Sequence, residues 1–299
     1  MHRRIWLQSS LALSATWLAG CAGMQKNSGL EADDASHPLA QIEARTGGRL
    51  GVAVIDTAIG RQWQYRGSER FPMCSTFKLL LAAQMLQRDQ QGLDSLQQRV
   101  TYPRSALVPY SPTTEAHADG AGLTVAELCE ATVVLSDNTA ANLLLARQGG
   151  PQGLTQWLRD MGTMHTRLDR LEPALNSATP GDERDTTTPL SMARAVVALA
   201  KGPHLDAGHQ AQLLQWLKAS STGAKRLRAG MPPGWLVGGK TGTGDNGTAN
   251  DVVLVWPHHR PQPLVVSAYL TQTPQLAPAA RDAALAEVGQ AVAHWFRRF

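Results

Sequence analysis

Cysteine is scarce, with three in 299 residues. Only Cys74 and Cys129 would remain after the N-terminal processing described below. Two cysteines are too few for a disulfide framework, and isolated ones of this kind are most often buried free thiols. Excess charge is lacking too: 28 Lys and Arg stand against 24 Asp and Glu, a formal net charge of +4. Removing residues 1–20, which carry Arg3 and Arg4, lowers it from 4 to 4 − 2 = +2. With no Lys/Arg run either, nucleic acid is excluded as a partner. The nine histidines show no ligand spacing, and the adjacent His258 and His259 read as turn surface. The chain is read as having no G-x-S-x-G, no H-E-x-x-H and no G-K-[ST] phosphate-loop motif, and no metal or cofactor is called for. Internal repeats and low-complexity segments are absent.

What is there begins with an export signal. A short basic start, "MHRR", precedes the apolar "IWLQSSLALSATWLAG", which is too short and too interrupted for a membrane span. The segment "LAGC", Leu18 to Cys21, resembles a bacterial lipoprotein cleavage box with Cys21 as the lipidated residue, and Arg3-Arg4 leaves a twin-arginine route open. The expected division is residues 1–20 as signal peptide, 21–37 as polar tether, and 38–299 as the folded domain. The expected location is the periplasm, with a membrane contact only through lipid on Cys21.

Hydrophobic content of 43% with 17% charged residues suits a soluble domain with a sizeable core. "HPLAQIEARTGG" has helical spacing and stops at a glycine pair, and "RLGVAVIDTAIGRQWQYR" alternates like two strands about a turn. From Ser75 to about Lys225 the pattern is mostly helical. It includes "STFKLLLAAQMLQRDQQG", "TPLSMARAVVALAKG", and "TVAELCEATVVLS" opened by a capping box, Thr124 with Glu127. Three strands follow, "GWLVGGKTGTG", "TANDVVLVWP" and "PLVVSAYLTQ", then a closing helix, "PAARDAALAEVGQAVAHWF". Strands at both ends of the chain with helices between predict an α+β fold of two lobes. Residues 38–70 and 227–299 would form a mostly antiparallel sheet of about five strands flanked by N- and C-terminal helices, and residues 71–226 an all-helical lobe, with a cleft between.

Three short motifs carry chemistry. In "CSTFK", Ser75 and Lys78 are three apart and share a helix face, so a desolvated lysine could take the proton that makes serine a nucleophile. Alone, it reads better as an N-cap serine with a solvated lysine. "SDN" places Ser136 and Asn138 two apart at the end of an apolar helix, which by itself is an ordinary polar terminus. "KTGTG", Lys240 to Gly244, is the sharpest signal: glycines weaken a strand and are usually excused by a close neighbour or ligand. "GTGDNG", Gly242 to Gly247, imitates a dinucleotide fingerprint, but a strand follows it where a helix is needed, and Asn246-Gly247 is a hairpin pair.

In this order S-x-x-K, S-D-N and K-T-G are the signature of class A β-lactamases and penicillin-binding proteins, and from about His37 onward the chain resembles that superfamily. "RLDRLEPALN", Arg167 to Asn176, resembles the omega loop of class A β-lactamases. The resemblance implies that Glu172 is the base for deacylation, with Asn176 as its partner and a cis Glu172–Pro173 bond. Arg170 and Asp185 match the ion pair that closes the loop, and "DERDTTTP" matches its exit. It further implies attack by Ser75, with its proton passing to Lys78 or through water to Glu172, two alternatives both open. The backbone N–H groups of Ser75 and Thr243 would hold the oxyanion. Ser136, assisted by Lys240, would protonate the leaving nitrogen, and Asn138 would orient Lys78 and the substrate amide. Lys240, Thr241 and Thr243 would bind the substrate carboxylate, and Tyr110 would stand as the aromatic gatepost of the cleft. Many members carry a carboxylate-binding arginine where this chain has Ala249; Arg226 matches the position other members use. Bridges that some members build from the Cys74 and Cys129 positions have no partner here, because Gly244 and Ala82 stand there. The implied activity is β-lactam hydrolysis by a monomer, conferring antibiotic resistance. A D,D-peptidase or transpeptidase of the same fold, or a non-hydrolysing β-lactam receptor, are the alternatives.

Overall fold

The computed structural model describes residues 37–298; the signal, the tether and Cys21 lie outside them. The chain opens with α1 (Pro38–Thr46), whose His37 side chain accepts the Leu39 N–H and whose end is capped by Gly47 at φ 66°. The hairpin β1 (Arg49–Asp56) and β2 (Gln62–Tyr65) follows as expected. Next come β3 (Phe71–Pro72), a 3₁₀ turn over Cys74–Thr76, and α2 (Phe77–Gln90). The helical middle continues through the small pair β4 (Arg99–Val100) and β5 (Leu123–Thr124), then α3 (Val125–Glu130), α4 (Asn138–Arg147) and α5 (Gly150–Asp160). After β6 (Thr186–Thr187), which pairs with β3, come α6 (Pro189–Lys201), α7 (Ala207–Ala219) and the single turn α8 (Leu227–Gly230). The chain closes with β7 (Leu236–Gly244), β8 (Thr248–Trp256), β9 (Leu264–Thr271) and α9 (Pro278–Arg297).

Five strands form one antiparallel sheet in the order β2-β1-β9-β8-β7. Its inner strands are covered on both faces, so they read as near-continuous apolar runs. The alternation still sorts them: Val52, Val54, Val253 and Val255 join Leu39, Leu285 and Val288 in the core under α1 and α9. Ala53, Ile55, Val252 and Leu254 join the larger core around α2. From Phe77 to Leu86 every residue of α2 is buried. A polar side chain on that helix must therefore find its partners inside the protein.

Two local departures shape the site. The segment that carries Ser75 is not α-helical from that residue: it begins in the 3₁₀ turn, with Cys74 at φ 46°. The single helix expected over "TVAELCEATVVLS" starts with its capping box as read, but ends in a π turn, Ala131–Leu135. There the N–H groups of Ser136 and Asp137 both donate to the Ala131 carbonyl, and Ser136 sits at φ 64°. π turns insert one extra residue per turn and recur at functional sites, because they re-aim the side chains that follow.

Candidate active site

Ser75, Lys78, Ser136 and Glu172 converge, and all four are buried. The Ser75 hydroxyl donates to Glu172 Oε1 at 3.2 Å, and Lys78 Nζ lies 3.0 Å from the same oxygen. The lysine also donates to Asn138 Oδ1 at 2.5 Å and the Ser136 carbonyl at 2.7 Å, with the Ser136 hydroxyl at 3.4 Å. Burial pushes the Lys78 ammonium below its ordinary range, while the Glu172 and Asp137 carboxylates pull it back up. Lys240 reaches the Ser136 hydroxyl from the other side at 3.0 Å. Its pKa is pushed down well below the usual lysine value, first by complete burial and then by the charge of Lys78. One hydroxyl thus sits between two desolvated amines, an arrangement able to pass a proton in either direction.

Ser136 and Asn138 owe their aim to the residue between them. Asp137 is fully buried, accepts the Thr113, Thr114 and Ala140 N–H groups within 2.9 Å, and so caps α4 while fixing the π turn to the neighbouring loop. Nothing in the pattern of "SDN" marks that role.

The segment that carries Glu172 is bound by reciprocal carboxylates. Asp185 accepts the N–H groups of Asp169 and Arg170 and pairs with the Arg170 guanidinium at 2.5 Å; Asp169 accepts the Asp185 N–H in return. The Glu172–Pro173 bond is cis. Asn142 on α4 receives the Glu172 N–H at 3.0 Å and donates to its carbonyl at 2.9 Å, holding the residue by its backbone. Asn176 donates to Glu172 Oε2 at 2.5 Å, and its own Oδ1 accepts no hydrogen bond.

Strand β7 supplies the opposite wall. A Cβ on Gly242 would lie 2.7 Å from the Met73 carbonyl oxygen, and one on Gly244 would lie 2.6 Å from both the Asn176 carbonyl oxygen and Cys74 Sγ. The glycines are therefore required by the turn that precedes Ser75 and by the Asn176 backbone, which answers the close approach expected from sequence. Thr241 and Thr243 face the other way. Thr241 donates to the Thr222 hydroxyl at 2.6 Å, and Arg226 donates to the Thr243 hydroxyl at 2.8 Å. Arg226 is itself held by Asp282 and by the Gly242 and Asn250 carbonyls, each at 2.8 Å. These walls bound a cleft of about 370 Å³ lined by Ser75, Ser136, Asn138, Asn176, Arg226 and Thr243, with Tyr110 at its rim, 63% exposed. Every site residue read from the sequence within 37–298 borders this cleft or stands directly behind it. Thr222, Asp137 and Asn142 are additions that only the folded chain reveals.

One expectation needs correcting. Gly234 to Thr241, "GWLVGGKT", does spell G-x-x-x-x-G-K-T. Its last six residues lie along β7 and its lysine is buried against Ser136, so no loop opens a helix and no phosphate cradle exists there. The other decoy closes as read: Asn246 and Gly247 take φ 53° and 69° in the β7–β8 turn. No described group of His, Cys, Asp and Glu could hold a metal ion, and Cys74 and Cys129 are buried free thiols.

A family model described as the beta-lactamase enzyme family matches residues 35–296. Beta-lactamase CTX-M-8 of Citrobacter amalonaticus is 48% identical over 252 residues, 84% of this chain and 86% of that protein. Beta-lactamase OXY-1 of Klebsiella oxytoca is 45% identical over 272 residues, 90% and 93%. Among solved structures, an ancestral class A β-lactamase superposes with a TM-score of 0.84 at 58% identity, covering 86% of this chain and 98% of its own. A structure described as a putative class A β-lactamase from Rhodopseudomonas palustris gives 0.83 at 53% identity, covering 86% and 97%.

Proposed function

The chain belongs to the class A β-lactamases, and from that membership we infer that it hydrolyses the amide bond of β-lactam antibiotics through an ester on Ser75, conferring resistance to them. Ser75 Oγ bonds to the lactam carbonyl carbon and gives its proton to Lys78, or through water to Glu172. The oxyanion is held by the N–H groups of Ser75 and Thr243, the type of donor whose loss costs about 10²–10³-fold in rate. The C–N bond breaks, and the nitrogen takes a proton relayed by the Ser136 hydroxyl, which Lys240 supports. Water then attacks the ester carbon and its proton passes to Glu172; the bond from that carbon to Ser75 Oγ breaks, and Oγ takes the proton back. Asn176, whose Oδ1 is unengaged, orients that water. Arg226, Lys240, Thr241 and Thr243 receive the substrate carboxylate, Asn138 its amide, and Tyr110 its side group.

The observation that carries this reading is the placement of Glu172 Oε1 within hydrogen-bonding reach of both Ser75 and Lys78. A D,D-peptidase or transpeptidase stays trapped as its β-lactam ester, whereas a lactamase needs a base there to release it. The test is nitrocefin turnover beside Glu172→Ala. The variant is expected to acylate, accumulate the Ser75 ester by mass spectrometry, and lose about 10²–10⁴-fold in steady-state rate, the usual contribution of a general base. Equal turnover in the two proteins would overturn the role given to Glu172.

The same reading includes a monomer with the lobe boundaries given above, exported to the periplasm and anchored by lipid on Cys21. The basic start, the apolar run and the "LAGC" box support the location. No described helix is long and apolar enough to cross a membrane. Cells grown on radiolabelled palmitate should label the protein, and Cys21→Ser should not be labelled.

A further inference from the structure

Behind the carboxylate-binding wall lies an acid that the mechanism does not use. Asp251 on β8 stands directly opposite Thr241 in the β7–β8 register, so both side chains emerge on one face of the sheet. It is 1% exposed. Oδ2 accepts the Leu227 N–H at 3.1 Å, and Oδ1 has no hydrogen-bond partner. Asp251 lines a small cavity of about 10 Å³ together with Ser220, Gly223 and Arg228, room for one water at most.

The chain that covers Asp251 runs from Ser220 to Leu227, and it is the chain that furnishes the wall. Its near end is fastened to the helical lobe, where the Ser221 N–H donates to the Val134 carbonyl at 3.2 Å. Its far end is fastened to the sheet through Leu227 and Asp251. Between the two anchors lie Thr222, which receives the Thr241 hydroxyl, and Arg226, which donates to Thr243.

We propose that Asp251 is a positioning residue for substrate-carboxylate recognition: it fastens the Thr222–Arg226 segment to the sheet, and its proton determines how strongly the wall attracts the anion. The inference rests on the functional reading above and deepens it. The charged groups that act on Asp251 are Arg226 and Arg228 from the covering segment and α8, and Lys240 from β7. All are cations, yet burial outweighs them and pushes the carboxyl up to about 7. Below that pH the acid is neutral, so Arg226 and Arg228 meet no counter-charge from β8 and Arg226 keeps only its pair with Asp282. Above it, a buried negative charge behind the wall offsets part of their field at the cleft.

The experiment compares a β-lactam with its carboxylate methyl ester, using the whole protein, and reads the ratio of the two kcat/KM values from pH 6 to 8.5. Taking the ratio cancels titration of the reacting groups, which both substrates share. In the wild type the acid-to-ester ratio should fall about five- to ten-fold as pH rises. Asp251→Asn keeps an acceptor for the Leu227 N–H and stays neutral, so its ratio should remain at the wild-type pH 6 value throughout. Asp251→Ala loses the acceptor, and its ratio should be about three- to ten-fold lower at pH 6, with rescue by Asn. If Asp251→Ala fails to fold, the pH profile of Asp251→Asn decides alone. An Asp251→Asn ratio that falls in parallel with the wild type, or a flat wild-type ratio, overturns the inference and leaves the β-lactamase reading standing. Absence of β-lactam turnover by the wild type overturns both.

Discussion

Gly242→Ala tests whether the fit between β7 and the nucleophile turn is what makes the site work. The added Cβ would lie 2.7 Å from the Met73 carbonyl oxygen and 3.2 Å from both Cys74 Cβ and Thr76 Cγ2. Ordinary contact begins near 3.4 Å, so strand and turn must part by about 0.7 Å, and neither side of the closest contact is a flexible side chain. The next residue, Thr243, supplies one of the two proposed oxyanion donors, while Ser75 supplies the other from across that same contact. Opening the gap separates the donors. Misplacement by about 1 Å costs on the order of 10²-fold, so the acylation rate should fall about ten- to one-hundred-fold. Overpacking should also remove about 1–3 kcal/mol of stability. Stopped-flow acylation by nitrocefin gives the first quantity and calorimetry the second. A folded variant that acylates within twofold of the wild type, or that slows only in releasing the ester, would refute the reasoning.

Asp185→Ala removes the acceptor of the Asp169 and Arg170 N–H groups and leaves the Arg170 guanidinium only Ser177 Oγ and the more distant Asp182; it should cost about 1–3 kcal/mol in thermal unfolding and slow ester release more than ester formation. Cys74 and Cys129 are buried with thiols pushed up, chiefly by burial, so the folded protein should leave Ellman's reagent unreacted until denaturant is added. Asp251 holds its proton to about pH 7 in the fold but would release it near 3.9 in the unfolded chain. Across that window the folded state binds more protons, so this group's contribution falls as pH rises and is lowest above 7. Asp251→Asn should therefore gain in melting temperature relative to the wild type between pH 5 and 8, and a constant difference would contradict the buried charge.

The sheet, the hairpin, the capping box and the three motifs are legible because each rests on local pattern: period-two alternation, a Thr-x-x-Glu cap, fixed offsets of Ser, Lys and Gly. The two glycines of "KTGTG" could even be read as a close approach, though not as an approach to the turn before Ser75. What escaped the reading is what depends on chain folded from elsewhere. Asp137 is an unremarkable helix-start aspartate until the loop at Thr113 and Thr114 arrives to donate to it. Asn142 holds Glu172 from thirty residues away, and Thr222 matters only because Thr241 lies beside it. The π turn has no composition of its own, since "ATVVL" would serve an ordinary helix equally well.

The strand order has a consequence for how such a molecule is made. β1 is paired along its whole length with β9, Arg49 opposite Thr271 and Asp56 opposite Leu264. The first hairpin to leave the ribosome therefore carries an apolar edge whose natural cover is among the last segments synthesised. Until that segment arrives the sheet is two separate ribbons, and contacts so distant in sequence form slowly. A chain that stops before residue 264 lacks β9 altogether, and the edge of β1 is then left open to pair with another chain.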